Sequence, residues 1–384
     1  MQGYVAWLAG FLAVTAALWI FGYLKKPSGL KLGPGYAIYS SAALNELIDR
    51  ISRSAKRVWK GWFTLGVAVF AASTAAAIYL LGGDLAKGLM AVKPQATVMP
   101  VVPGLTIPLL PGLVALAVTV VVHEFSHAVA ARNGGVKVNK LGVIFILAFP
   151  IGAFTEPDEQ SFKEASHGSK LRVLAAGSMA NLATAGIVLG LLVLFLNGYP
   201  SSPNAVVVQG IIPGTLASSL GIKAGYLIYG LNNTATGTLS ALSAVLAKTH
   251  PGQLITIVTN HGNLTGKLGS VPTAYGSSDK GFIGVELSSM PFFTPRAYLG
   301  LSTSAWLQLQ TYGFWIWFIN LNVGIFNALP IPLLDGDQFF KEIVATLKER
   351  GLPSSLGNGI ALSLETLAIG LLLANLIFSA STLL

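Results

Sequence analysis

The sequence predicts a multi-spanning α-helical membrane protein of about six transmembrane helices, with a re-entrant β element and an inserted extracytoplasmic α+β domain. Three observations predict it. Hydrophobic residues make up 53% of the 384-residue chain. Charged residues make up 10%, against about a quarter in ordinary soluble domains. Mean hydropathy is +0.67. A soluble globular enzyme, a disordered chain and a coiled coil are excluded on these grounds. The formal charge of +9 comes from 24 basic and 15 acidic residues, and in such a chain it reads as cytoplasmic loops rather than a nucleic-acid surface. With no Cys, disulfides, thiolate metal sites and cysteine nucleophiles are excluded.

Each span follows from length. Crossing a bilayer takes about 20 apolar residues at about 1.5 Å each. Six stretches qualify: Tyr4–Leu24, Trp62–Leu81, Leu113–Ala131, Leu171–Leu196, Leu299–Phe326 and Ile360–Leu383. The first has no Lys or Arg before it and Lys25-Lys26 after it, so it reads as an uncleaved helix entering from outside. Alternating from there places 17 of the 24 basic residues on one side, which the positive-inside rule assigns to the cytoplasm. Both termini then lie outside. Nothing marks an organelle, which makes a prokaryotic plasma membrane the default.

Segment 197–298 breaks the pattern. It is rich in Gly, Ser, Thr and Asn, with strand-like runs at Val206–Val208 and Leu254–Val258, turns at Pro213-Gly214 and His261-Gly262-Asn263, and a short helix at Ser240–Lys248. It reads as an extramembrane domain between the fourth and fifth spans. The run Val143–Phe149, between Gly134-Gly135 and Pro150, is too short to span. It reads as a strand or re-entrant hairpin whose open edge suits an extended peptide.

The chemistry concentrates in His123-Glu124-Phe125-Ser126-His127, inside the third span. An i, i+4 spacing puts both imidazoles on one helix face, where they can share a metal ion. Glu124 stands beside them as a base for a water activated there. With 5 His and 9 Glu in the chain, an HExxH arises by composition roughly 0.0015 times. Charged groups at this depth cost about 2–3 kcal/mol or more each unless they face a polar cavity, so helix packing alone is a poor reason to keep them.

A hydrolytic zinc takes three protein ligands and one open position. The strongest third candidate is Asp335, in Asn327-Ala328-Leu329-Pro330-Ile331-Pro332-Leu333-Leu334-Asp335-Gly336. The fifth span delivers this segment to the same half of the bilayer. Pro330 and Pro332 stop the helix, and Gly336 permits an unusual turn. Glu156, Asp158, Glu159 and Glu164 are competitors, and Asp337 is a weaker one. Glu365, five residues into its span, reads as snorkelling. His167, His250 and His261 read as surface residues. Gly177-Ser178-Met179-Ala180-Asn181, in the fourth span, combines small residues that admit close helix contact with one buried amide. Asn320, Asn322 and Asn327 are further amides whose purpose the sequence leaves open.

With these residues in hand, the chain resembles the site-2 proteases, the zinc intramembrane metalloproteases, over most of residues 105–340. HEFSH at 123–127 is similar to that family's HExxH, and NALPIPLLDG at 327–336 to its NxxPxPxxDG. GSMAN at 177–181 resembles its Gly-Pro-x-x-Asn element, with Ser178 in place of Pro. Residues 204–290 resemble an inserted PDZ domain through IIPGTLASSLGIKAGYLIYGLNN at 211–233, with Ala224 and Tyr226 at two turn positions that usually hold Pro and Asp. The resemblance implies one catalytic Zn2+ held by His123, His127 and Asp335, Glu124 as catalytic base, and Asn181 or Asn327 near the oxyanion. It implies cleavage of transmembrane protein substrates within the lipid bilayer, with a peptide or C-terminus met by the PDZ-like domain. Four parts follow: a two-span extension at 1–104, a first catalytic part at 105–200, the PDZ-like domain at 204–290, and a second catalytic part at 297–384. Two alternatives stand beside this reading. One is a prenyl-protein-type membrane zinc protease with Glu as third ligand; the other is a non-catalytic receptor that uses the PDZ-like domain.

Overall fold

The computed structural model describes residues 13–381 apart from 14, 18, 26, 28, 34–35, 41, 91–99, 147–148 and 273–278. The chain divides into two compact units, Met1–Gly186 with Trp315–Leu384, and Ile187–Phe314.

The first unit holds the long apolar helices. A β-hairpin, β1 (Leu30–Gly33) and β2 (Tyr36–Ser40), leads into a short amphipathic helix α1 (Ala42–Ser54) and then into α2 (Lys56–Met90). Helix α3 (Leu109–Asn133) follows Pro108 and ends at Gly134-Gly135. Gly135 takes φ +84°, the left-handed turn that closes many helices. Strands β3 (Val138–Ile146) and β4 (Phe149–Pro157) come next, then a one-turn helix α4 (Glu159–Glu164) and the long helix α5 (His167–Phe195). The β elements form one antiparallel sheet, ordered β1-β2-β3-β4. The expected hairpin at Val143–Phe149 is thus part of a longer β3–β4 pair, with residues 147–148 outside the described part. One side of β3 is covered by β2, in the register Val143↔Tyr39, and β4 is left as an edge strand.

The second unit carries β5 (Val206–Ile211), α6 (Leu216–Ser219), β6 (Leu227–Leu231), β7 (Thr234–Ala235), α7 (Leu239–Leu246), β8 (Leu254–Thr259), β9 (Gly262–Lys267) and β10 (Val285–Leu287). Its sheet is ordered β10-β5-β6-β8-β9, with β7 on β6. Val206, Val208, Ile228, Leu231, Ile255 and Ile257 fill its core with Leu242 of α7. Alternation along β8 puts Ile255 and Ile257 inward, as period-2 patterning requires. Helix α8 (Thr303–Phe326) leads back to the first unit, followed by α9 (Asp335–Glu349) and α10 (Ser354–Ser381).

Four helices have the length and apolarity to cross a membrane: Lys56–Met90, Leu109–Asn133, His167–Phe195 and Ser354–Ala380. They contain or overlap four of the six expected spans. The start of the expected span Tyr4–Leu24 lies outside the described residues, as does the end of Ile360–Leu383. The fifth, expected at Leu299–Phe326, is a helix of 24 residues. Gln308, Gln310, Tyr312, Asn320 and Asn322 interrupt its apolar run. Several of these amides are spent locally: Asn320 and Asn322 donate to the Ile316 and Phe318 carbonyls, and Gln310 brackets Phe293 through both its N–H and C=O.

The segment before residue 105 is built into the first unit. Phe70 of α2 lies 4.5 Å, centroid to centroid, from Phe339 of α9, and both are buried. Thr74 Oγ1 donates to the Ala328 carbonyl at 2.7 Å. Asn375 of α10 donates to the Leu81 carbonyl of α2 at 2.9 Å. Helix α2 therefore braces the segment that carries Asp335. Phe339→Ala should cost about 3–5 kcal/mol through the cavity it leaves. A thermal melt of the detergent-solubilised protein should show the lowered midpoint; an unchanged midpoint would mean that the α2–α9 contact carries no stability.

Candidate metal centre

Helix α3 presents His123 and His127 one turn apart, as the i, i+4 spacing requires. The chain then returns through α8 to Asn327, where Pro330 and Pro332 prevent further helix. Asp335 stands at the first position of α9. Its Oδ2 lies 3.1 Å from His123 Nε2 and 3.1 Å from His127 Nε2, and the two Nε2 atoms are 3.1 Å apart. A histidine pair and a carboxylate more than 200 residues away thus converge on one point, the three-ligand cluster among the described residues. A tetrahedral zinc with ligands at about 2.0–2.1 Å spaces them roughly 3.3–3.4 Å apart, so these donor atoms stand close to the separation the ion needs.

The surroundings fix which ring nitrogen faces the centre. His127 Nδ1 lies 2.7 Å from the Val173 carbonyl of α5. A carbonyl only accepts, so Nδ1 carries the proton and Nε2 keeps its lone pair for a metal, the usual arrangement behind a histidine ligand. Asn181, fully buried, sits 3.0 Å from His123 Nδ1 through Nδ2, and its Oδ1 has no partner. For His123 Nε2 to bind a metal, Nδ1 must hold the proton. A half-turn of the Asn181 amide then brings the unpaired Oδ1 onto it. Asn327 Nδ2 donates to Asp335 Oδ2 at 2.6 Å. The two amides expected near an oxyanion are therefore both engaged with ligands here.

Gly177 explains how α5 comes so close. A Cβ built there would meet His123 Nε2 at 2.4 Å and His127 Nε2 at 2.5 Å, so any side chain would fill the place of the ion. Ser126 Oγ donates to the Ala176 carbonyl at 2.9 Å and clamps the same two helices together. Gly336 has a parallel role: a Cβ there would meet the Leu329 carbonyl at 2.2 Å. The unusual turn expected at Gly336 falls instead on Leu333, whose φ is +78° and whose side chain is fully exposed.

Glu124 lies one residue past His123 and is held by β4. Thr155 N–H donates to Glu124 Oε2 at 3.0 Å, and Thr155 Oγ1 donates to the Glu124 carbonyl at 2.7 Å. Glu124, His127, Thr155, Glu159, Asp335 and Gln338 are among the residues lining a cavity of about 370 Å³. The competing carboxylates have other partners. Glu156 pairs with Lys140 at 3.6 Å and Asp337 with Lys341 at 2.7 Å. Glu159 pairs with Lys163, and Glu164 accepts from Gln160. Asp158 caps α4, and the Ser161 N–H it accepts holds its carboxyl below the usual carboxylate range. Glu365 sits eleven residues past Ser354, about 16 Å along the helix, because α10 begins six residues earlier than the expected span. His167 bridges Glu342 and Glu349 of α9, His261 stacks on Tyr226, and His250 is exposed.

An HExxH on an apolar helix, completed by a distant carboxylate beside a cavity roomy enough for water and substrate, defines a membrane metallopeptidase site. The profile of peptidase family M50 matches residues 111–371, and the chain belongs to that family. This bears out the site-2 protease resemblance carried by the two motifs. An uncharacterized protein of Methanocaldococcus jannaschii is 29% identical over 71% of the chain. That match takes in 66% of the archaeal protein's own length, just under two thirds. A Nostoc protein named "Putative zinc metalloprotease" is 25% identical over 68% of this chain and 93% of its own. A Clostridium acetobutylicum protein of the same name is 23% identical over 60% and 84%.

Two substitutions test the walls of the centre. Gly177→Ala should abolish zinc retention in the purified protein while leaving its helical circular dichroism unchanged. Asn181→Ala should weaken zinc affinity about 10–100-fold, the usual effect of removing a group behind a ligand, and Asn181→Asp should restore most of it. Competition with a chromophoric chelator measures both; full zinc affinity in both alanine variants would contradict the geometry.

Proposed function

We propose that this multi-pass membrane metalloprotease is a zinc-dependent intramembrane endopeptidase that cleaves transmembrane segments of membrane-protein substrates. The observation that carries the reading is the 3.1 Å triangle of His123, His127 and Asp335 with Glu124 beside the same cavity. Two of its corners lie on an apolar helix, His123 ten residues from the start of the expected span. Zinc at this place supplies a Lewis acid and lowers the pKa of a water toward neutrality. Glu124 takes the proton from the attacking water and returns it to the leaving amine. Val173, Asn181 and Asn327 hold the three ligands in register. Thr155 holds Glu124 against the open edge of β4, where an extended substrate strand can pair by β-augmentation. A helical substrate must unwind to present its scissile carbonyl, so helix-breaking residues near the cut favour cleavage.

The same reading has six spans, both termini outside and the catalytic centre toward the cytoplasmic leaflet, on the distribution of basic residues. Residues 204–290 then form an extracytoplasmic PDZ-like domain that meets a peptide or C-terminus of the substrate. The β5–β10 sheet with α7 packed on its core supports this assignment.

Glu124→Gln should retain zinc and lose cleavage of a model transmembrane peptide in detergent by at least about 10²-fold, the low end of what a general base contributes. Asp335→Asn should lose both zinc and cleavage. Retained cleavage by Glu124→Gln would overturn the mechanism. Deleting residues 204–290 should either abolish substrate binding, which makes the domain a receptor, or admit untrimmed substrates, which makes it a filter. Unchanged binding and selectivity would remove it from the substrate path.

A further inference from the structure

A second polar cavity, of about 200 Å³, opens where α3 ends and α2 begins. Arg53, Lys56, Arg132 and Lys137 line it together with one carboxylate, Asp49. Among the described residues Arg53 and Lys56 have no ion-pair partner. Arg132 Nε stands 3.0 Å from Asp49 Oδ1, yet it is buried without an aligned hydrogen bond; its Nη2 donates to the Val138 carbonyl at 3.2 Å. Asn133 Nδ2 reaches the Ser52 and Lys56 carbonyls at 3.5 and 3.1 Å, so the floor is tied across three helix ends. The space equals about six waters at about 30 Å³ each, enough for a phosphate group. Asp49 faces Arg132 and Asp158 lies near Lys137, which leaves the charges of Arg53 and Lys56 uncompensated.

The place of the pocket adds to its chemistry. Both α2 and α3 are apolar enough to span a membrane, and the pocket lies where both leave the apolar layer. This holds whichever side of the membrane that is. Trp59 and Trp62, in the first two turns of α2, are half-buried at the same level, as aromatic side chains are at headgroup depth. Arg132 is five residues beyond His127, about 8 Å along α3.

We propose that this pocket binds the phosphate of an anionic lipid headgroup and thereby anchors the end of the helix that carries both histidine ligands. Basic pockets between membrane helices favour such headgroups, and each nearby cation strengthens binding by about fivefold, the equivalent of about 1 kcal/mol. The test uses the full chain purified in detergent and exchanged into mixed micelles with either phosphatidylglycerol or phosphatidylcholine. Native mass spectrometry counts retained lipid, and thermal unfolding reports stabilisation. Wild type should retain phosphatidylglycerol selectively and melt higher with it. R53Q/K56Q should lose about 25-fold in affinity with zinc content unchanged, since neither side chain touches the metal centre. R50Q/K60Q, which removes two cations outside the pocket, should lose far less. A rise in melting point with inorganic phosphate alone, without selective lipid retention, would assign the pocket to a free anion and overturn the lipid reading. Equal retention of the two lipids would overturn it too, as would equal losses in the two double variants.

Discussion

The centre of this molecule is a convergence of three polar donors, 3.1 Å apart, among long apolar helices. Two imidazoles and a carboxylate do not gather in such surroundings without compensation, because an unpaired buried polar group costs roughly 1–3 kcal/mol, and more if charged. Each donor accordingly has its own support: Val173 behind His127, Asn181 behind His123 and Asn327 on Asp335. The neighbouring elements are placed to deliver those supports. Helix α5 brings a carbonyl, an amide and the gap at Gly177. Helix α2 pins Ala328, and β4 fixes Glu124 through a backbone N–H.

Side-chain chemistry at fixed spacing was legible in the sequence. His123, Glu124 and His127 follow from helical periodicity, and Asp335 from a proline-bent segment arriving at matching depth. Supports made by backbone were not legible. A carbonyl exists at every residue, so nothing in the letters marks the one at Val173. Gly177 was visible as a small residue suited to helix contact, but the atoms it makes room for are imidazole nitrogens, not a neighbouring helix backbone. A signal for Thr155 did exist: a second strand after Pro150 completes the hairpin that Val143–Phe149 begins. The bracing role of α2 had no local signature, since its contacts to Ala328 and Phe339 span more than 250 positions.

Membrane spans show the same division. Helices of uniform apolarity were found at their expected places, with ends extended by several residues where polar side chains continue the helix beyond the hydrocarbon-like run. The helix Thr303–Phe326 differs because the amide N–H groups of Asn320 and Asn322 are spent one turn back along the helix and Gln310 is paired at Phe293. Composition lowers its hydropathy while hydrogen bonding removes much of the reason to avoid an apolar setting. The segment after it stores strain at Leu333, a left-handed leucine, which in a β-carbon-bearing residue costs roughly 1–2 kcal/mol. That strain is carried two residues before the ligand, and the close approach of Gly336 to the Leu329 carbonyl holds the bend in place.

The glycine wall has a corollary for access. Helices α3 and α5 are clamped by Ser126 and in close contact at Gly177, so the seam between them leaves no passage past the imidazole nitrogens. The ligands are instead approached through the cavity that His127, Asp335, Glu124 and Gln338 line together, so the opening that brings water to Glu124 is also the one that brings the ion to its ligands.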